Sequence, residues 1–219
     1  MSDIKSYYNS IAAIYDNDRF GNSYGQFIDA EERILLSEWL QNIDKNQIAD
    51  YGCGTGRLTH FANTGIDISE EMLRIARQKY PEKKFYLLNE NDFPISENTL
   101  QAIYSFHVIM HLSKTDFVKM INTIHHKIEK NGIFIFDILS SKRKNKKDGW
   151  HANTSYSIDE IRALVGQQFD IIQYNGILFL PIHRIPSSLR KYFVWLDIFL
   201  CKSIFKKYAS YYCIYAKKK

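Results

Sequence analysis

The stretch Ile48-Ala49-Asp50-Tyr51-Gly52-Cys53-Gly54-Thr55-Gly56-Arg57 constrains this chain more than any other. A short apolar run ends in an acid, glycine then occupies alternate positions, and a helix-compatible segment follows. A buried parallel strand that turns sharply into the next element reads this way. Glycine alone takes positive φ cheaply and lets backbone approach a ligand with no Cβ between them, so a flat or polar ligand is expected on the turn. A phosphate loop requires Gly-x-x-x-x-Gly-Lys-Ser/Thr; Arg57 and Leu58 follow Gly56, which excludes it. A dinucleotide fingerprint places its third glycine one position later than Gly56, which weakens that reading without removing it.

Around this turn, strand and helix patterns alternate. Strands are expected over 48–51, 66–68, 85–88, 102–106, 133–138, 169–174 and 211–215. Helices are expected over 4–14, 30–40, 57–62 and 157–165, after Ser69 with Met72, Leu73 and Ala76 along it, and over 115–129 with Phe117, Val118, Ile121, Ile124 and Ile128 inward. Such alternation calls for a mostly parallel sheet covered on both faces. At 219 residues the chain is long enough for one sizeable domain, 1–219, with a helical cap over about 1–42.

Composition, 45% hydrophobic and 24% charged, is that of an ordinary globular protein. The first residues carry no signal-peptide pattern, no apolar run is long enough to span a bilayer, and Cys53, Cys201 and Cys213 have no metal-ligand spacing. A cytoplasmic protein without a bound metal is expected. The formal charge of +5 owes much to the Lys142–Lys147 block and the C-terminal lysines. These read as solvated loops rather than a nucleic-acid surface, because no aromatics are interleaved to stack on bases.

Asp50-x-Gly52-x-Gly54-x-Gly56, followed by the acid Asp67, resembles the cofactor signature of class I S-adenosylmethionine-dependent methyltransferases. Asn91-Asp92-Phe93-Pro94, the run 102–112 and Gly132-Ile133-Phe134-Ile135-Phe136-Asp137 fall in the order that family shows. The segment Tyr8–Asp16 is similar to the opening of its small-molecule members, and the resemblance spans roughly 7–171. It implies an α/β, Rossmann-like, doubly wound sheet of seven strands, the last antiparallel between the fifth and sixth. This chain departs from the simplest pattern by inserting 176–209 before that strand. The centre of the insertion, 189–205, reads as a helix with Leu189, Tyr192, Phe193, Leu196, Phe199 and Leu200 on one stripe, and the insertion is expected to form a lid over the acceptor.

The resemblance further implies S-adenosylmethionine as cofactor, with S-adenosylhomocysteine as product. Asp67 would accept the ribose hydroxyls, Gly52 and Gly54 would leave room for the amino-acid end with Gly56 completing the turn, and Asp50 would attract its ammonium. Asp92, with Asn91 and Phe93, matches the adenine clamp, while Ile68 would pack on the ring; Met72 and Tyr15 complete the set. Ser105 and Phe106, at the carboxyl end of the fourth strand, would border the methyl. One departure is a segment between the glycine turn and Asp67 that is shorter than usual for the family, which bears on the ribose geometry.

Methyl transfer needs proximity and alignment, and a base only where the acceptor must lose a proton. His107 and His111 are the candidate catalytic residues, each reading equally as a core or capping histidine. The expected acceptor is a small molecule, apolar or ring-bearing, with no metal and no nucleic acid. The competing readings are an RNA- or protein-modifying methyltransferase, a lipid or quinone methyltransferase with peripheral membrane contact, and a binding module without turnover. The oligomeric state is left open.

Overall fold

The computed structural model describes residues 2–89, 94–142 and 154–219. Its strands are β1 (Ile48–Tyr51), β2 (Thr64–Asp67), β3 (Lys84–Leu87), β4 (Leu100–Ser105), β5 (Ile128–Ser140), β6 (Ser155–Tyr156), β7 (Phe169–Ile177) and β8 (Tyr211–Lys218). They form one sheet in the order β3-β2-β1-β4-β5-β8-β7. Strands β3 to β5 run parallel along this path, and β8 is antiparallel to both β5 and β7, as expected. An eighth, two-residue strand, β6, pairs with the end of β5 and was not anticipated.

Helices α1 (Ser2–Ile11), α2 (Tyr15–Phe20), α3 (Ser23–Leu40), α4 (Glu70–Lys79), α5 (Lys114–Lys127), α6 (Ile158–Val165) and α7 (Val194–Lys202) cover the sheet. Side chains alternate across β5 with the period of a strand. Ile135 and Leu139 enter the core beneath α3 and α7, with Leu36, Trp39 and Ile198. Phe134, Phe136 and Ile138 enter the core beneath α5 and α6, with Phe117, Ile121 and Ile161.

Several elements differ from the sequence expectation, each for a local reason. The single helix expected over 4–14 breaks after Ile11, and α2 starts afresh at Tyr15. Helix α3 begins seven residues earlier than expected, because the Asn22 side chain accepts from the backbone N–H groups of Tyr24 and Gly25. A Cβ on Gly25 would lie 1.8 Å from the carbonyl oxygen of Arg19, so glycine is what lets α2 end against α3. In place of a helix over 57–62 there is a single 3₁₀ turn, Thr59–Phe61. Lys83 donates to the carbonyls of both Thr59 and Ala62 at the end of that turn. On α5 the buried stripe is Phe117, Met120, Ile121 and Ile124, at helical spacing, whereas Val118 lies off it and is exposed. Ile128 is buried, but as the first residue of β5.

The largest correction concerns the insertion. It folds as 3₁₀ turns at Ile182–Arg184, Arg190–Phe193 and Ile204–Tyr208 around a short α7, not as one helix over 189–205. Its buried face is Val194, Asp197, Ile198 and Cys201; Leu189, Tyr192, Leu196 and Phe199 of the expected stripe point outward. Helix α7 is apolar on both sides, so hydrophobicity alone does not set its rotation. The fully buried Asp197 does: its carboxylate accepts from the backbone N–H groups of Phe179 and Leu180, at 3.0 and 2.5 Å. Glu31 of α3 accepts from the Leu178 N–H beside it. Burial and the adjacent Asp197 push the Glu31 carboxyl well above its ordinary range.

The close approach of β2 to its neighbours gives a test. A Cβ on Gly65 would sit 2.7 Å from the Phe85 ring and 2.8 Å from Cys53 Sγ. Gly65→Ala is expected to lower the unfolding free energy by about 1–3 kcal/mol through overpacking, read as a lower urea midpoint at an unchanged slope.

Candidate active site

Strand β1 lies between β2 and β4, so the chain leaves it in opposite directions and a crevice opens at its carboxyl end, where open α/β sheets bind ligands. The glycine turn fills the floor of that crevice. The N–H groups of Gly52 and Cys53 both donate to Ile66 of β2, which pins the turn to the neighbouring strand. Gly52 has φ +78° and a Cβ there would lie 2.2 Å from Val108 Cγ2; Gly54 has φ +52° and a Cβ there would enter open space. The first glycine is required by packing and backbone, the second by backbone and by the space it leaves.

Asp67 ties this floor together. One carboxylate oxygen accepts from Gly54 N–H and the other from Ser69 N–H, both at 2.8 Å. Burial pushes its carboxyl up, against the pull of those backbone donors. Each oxygen has about two acceptor positions, so one on each is spent on the protein and one is left for a ligand. The cavity above is lined by Tyr8, Tyr15, Gly52, Gly54, Asp67, Ile68, Met72, Phe106 and Val108, with an empty volume of about 810 Å³ counted to its open mouth. That falls within the usual span for small-molecule sites, roughly 300–1,000 Å³. A buried carboxylate, a cradle free of Cβ atoms and apolar walls at Ile68 and Met72 fit the polar and flat parts of an adenosyl ligand.

Of the residues singled out in the sequence, Tyr15, Gly52, Gly54, Asp67, Ile68, Met72, Phe106, His107 and His111 meet around this one cavity. Asp50, Gly56 and Ser105 do not line it. Asp50 lies beneath the turn and accepts from the Thr59 hydroxyl at 2.9 Å; burial pushes it up to about 7, against the pull of that hydrogen bond and of Arg57. Gly56 packs against Tyr80 and Ala76, and Ser105 is buried in the sheet. Asn91, Asp92 and Phe93 lie outside the described residues.

Sequence reasoning missed a buried ionic cluster under the crevice. Glu32, in the middle of α3, sits between Arg57 and His107: its oxygens lie 2.7 Å from Arg57 Nη1 and 2.6 Å from His107 Nε2. Arg57 also pairs with Asp29 at 2.6 Å and lies 4.0 Å over the Phe20 ring. Burial alone would raise the Glu32 carboxyl, but the charges of Arg57 and His107 prevail and hold it at about 2. Burial likewise opposes a charged His107, yet Glu32 and Asp137 on either side of it raise its pKa. Asp137 is itself pushed up to about 6 by burial, against the charge of His107. His107 has φ +59°, rare for a side chain of its size, and its own N–H donates to Asp137 at 2.7 Å. The one available signal was an acid pair, Glu31-Glu32, on the apolar stripe of a helix.

Glu32, His107 and Asp137 bring ligand atoms within 4.8 Å of one another, as do Glu31, Asp197 and Cys201. In the first group Glu32 is already paired with Arg57, and in the second the Asp197 carboxylate is committed to the backbone N–H groups of Phe179 and Leu180.

A second cavity adjoins the first. Its walls include Arg19, Phe20, Asn22, Tyr24, Ile28, Met110 and Tyr211, and it shares Tyr8, Tyr15, His107 and His111 with the first. Tyr8 Oη and His111 Nε2 are 2.8 Å apart in this partition. Burial, then the neighbouring Tyr15 and Tyr7, push the Tyr8 hydroxyl far above its usual range, so it stays protonated. Among the described residues none of 176–209 lines either cavity, and the covering walls come from α1, α2 and the start of α3.

A family model described as a methyltransferase domain matches residues 49–136, the span from the glycine turn to β5. An uncharacterized protein of Methanocaldococcus jannaschii is 26% identical over 98% of this chain and 90% of its own length. An uncharacterized methyltransferase of Halobacillus halophilus is 27% identical over 70% of this chain and 78% of its own. The crystal structure of magnesium protoporphyrin IX methyltransferase from Synechocystis with bound S-adenosylhomocysteine superposes with a TM-score of 0.68 at 16% identity, covering 100% of this chain and 99% of that one, and shares the fold.

The ionic cluster generates a prediction. Glu32→Gln removes the buried anion that Arg57 and His107 share, leaving them only Asp29 and Asp137 as acidic partners, and is expected to cost up to about 3–5 kcal/mol of unfolding free energy. Because the folded-state pKa of Glu32 is depressed to about 2, its contribution is present above the unfolded value and lost as pH falls toward 2. Urea titrations across that window should show a steeper acid loss in the parent than in the variant.

Proposed function

We propose that the chain is an S-adenosylmethionine-dependent methyltransferase of the class I fold and that it methylates a small, apolar or ring-bearing molecule held in the second cavity. The observation that carries this reading is the partition: the same four side chains, Tyr8, Tyr15, His107 and His111, face both chambers, so two ligands can meet across it.

The cofactor supplies a methyl on a sulfonium centre whose leaving group is already good. The work left to the protein is alignment, exclusion of water and, for some acceptors, removal of a proton. Asp67 fixes the ribose with the free acceptor positions of its carboxylate, and the bare backbone at Gly52 and Gly54 receives the amino-acid end. Phe106 and Tyr15 wall the methyl-facing side, while Phe20, Tyr24 and Met110 offer rings and an apolar surface to the acceptor. His107 lies between two buried acids, Glu32 and Asp137, which raise its pKa and occupy both ring nitrogens, so it is not the base in this reading. His111 is the proton acceptor in this reading, receiving through the Tyr8 hydroxyl that it contacts. A ringed acceptor with an anionic group would be drawn by Arg19, on the rim of the same chamber.

The test has two parts. Calorimetric titration is expected to show binding of S-adenosylmethionine and S-adenosylhomocysteine but not NAD, and Asp67→Asn should weaken both adenosyl ligands by about 10- to 100-fold, the worth of a lost charge-assisted hydrogen bond of about 1.5–3 kcal/mol. Incubation with methyl-labelled cofactor and a fractionated extract should place label in the small-molecule fraction. Label confined to RNA or protein would overturn the acceptor assignment. Tyr8→Phe should lower turnover on the order of a hundredfold with cofactor affinity unchanged.

A further inference from the structure

We propose that the outer face of the insertion docks on an anionic lipid surface. Among the described residues, most of the exposed large apolar side chains belong to the short segment from Leu189 to Tyr208. Tyr192, Trp195 and Phe199 follow one another at spacings of three and four along α7 and the turn before it, and are 68, 73 and 70% exposed. Ile204, 81% exposed, and Tyr208 extend the patch through the turn that packs on α7. A helix that is apolar all round belongs inside a protein or against an apolar partner, and here only the Val194, Ile198 and Cys201 side is covered.

Charge identifies the occupant. Residues 176–209 hold six Lys and Arg against a single acid, Asp197, and that acid is buried and committed to two backbone donors. Lys191 and Lys207 flank the aromatics, are exposed, and have no acidic partner among the described residues. A second copy of the chain seated across a twofold axis would bring these lysines toward their own equivalents, which is unfavourable. An anionic bilayer offers what both parts of the face need: headgroup charge for the lysines, and an interfacial zone about 5–10 Å deep for aromatic side chains. Trp and Tyr suit that zone because one end of each ring system is apolar and the other hydrogen-bonds. No described helix is long and apolar enough to cross a membrane, so the contact is peripheral.

The face is pre-formed, since Asp197 fixes the rotation of α7 and the apolar side chains point outward without any partner to induce them. It is also tied to the acceptor chamber. Arg190 donates to the Ser23 hydroxyl at 3.0 Å, next to Tyr24 in the wall of the second cavity.

The experiment is co-sedimentation of the full chain with vesicles of equal parts phosphatidylcholine and phosphatidylserine at low salt, with tryptophan emission recorded in parallel. Strong sedimentation with a blue shift is expected, with much less on phosphatidylcholine alone. The double variant Trp195→Ser/Phe199→Ser should reduce the bound fraction by about tenfold or more, and Lys191→Glu/Lys207→Glu should reduce it as well. Val118→Ser, which removes an exposed apolar side chain on α5, on the other face of the sheet from α7, should leave binding unchanged. Because Trp195 and Phe199 are exposed, an unchanged urea midpoint is expected to show that the variant folds. Failure to sediment with anionic vesicles overturns the proposal, as does equal sedimentation of the double variant. A concentration-dependent dimer abolished by Trp195→Ser/Phe199→Ser would overturn it in favour of a second copy. None of these readouts depends on methyl transfer, so the lipid proposal and the enzymatic reading stand or fall separately.

Discussion

The Glu32 carboxylate holds the active-site end of this molecule together. It lies in the middle of α3, yet its two oxygens engage Arg57, just after the glycine turn, and His107, just after β4. Three segments far apart in sequence therefore converge on one buried anion. Such a group is costly to bury alone and is kept charged by two cations and their hydrogen bonds. The result is a crevice whose two sides are fixed relative to each other before any ligand arrives, which is what an alignment-dependent reaction requires.

On that foundation the division of labour is spatial. Asp67 and the glycine turn form a polar floor, with Gly54 leaving open space where any other residue would place a Cβ. Helices α1 and α2 close over it, carrying Tyr8 and Tyr15 into the partition between the two chambers. The break between α1 and α2 makes this possible, because one straight helix would carry Phe20 past Arg57 instead of placing its ring 4.0 Å from the guanidinium. Arg57 thereby links the cover to the ionic cluster beneath.

The insertion shows a polar residue overruling an apolar pattern. Its helix could bury either side, and the choice falls to Asp197, whose burial is tolerable only where two backbone N–H groups meet it. Once that anchor is set, Tyr192, Trp195 and Phe199 have nowhere to go but outward.

The sequence by itself determined the alternation of strands and helices, the glycine turn and the Ser69 cap, because these rest on short-range signals: periodicity, closely spaced glycines, a hydroxyl ahead of a helix. The antiparallel last strand and the roles of the glycines came from likeness to a family, and the geometry accommodates them. The rotation of α7, the withdrawal of Asp50 from the cavity, the Glu32 cluster and the N-terminal origin of the second cavity's walls were decided only in the tertiary structure. In each, the outcome turns on where a buried charge finds its partner: Asp50 on Thr59, Glu32 on Arg57 and His107, Asp197 on a backbone loop almost twenty residues earlier. No local pattern encodes such pairings, since a carboxylate reads the same in sequence whether it faces water, a ligand or a cation folded against it from another strand.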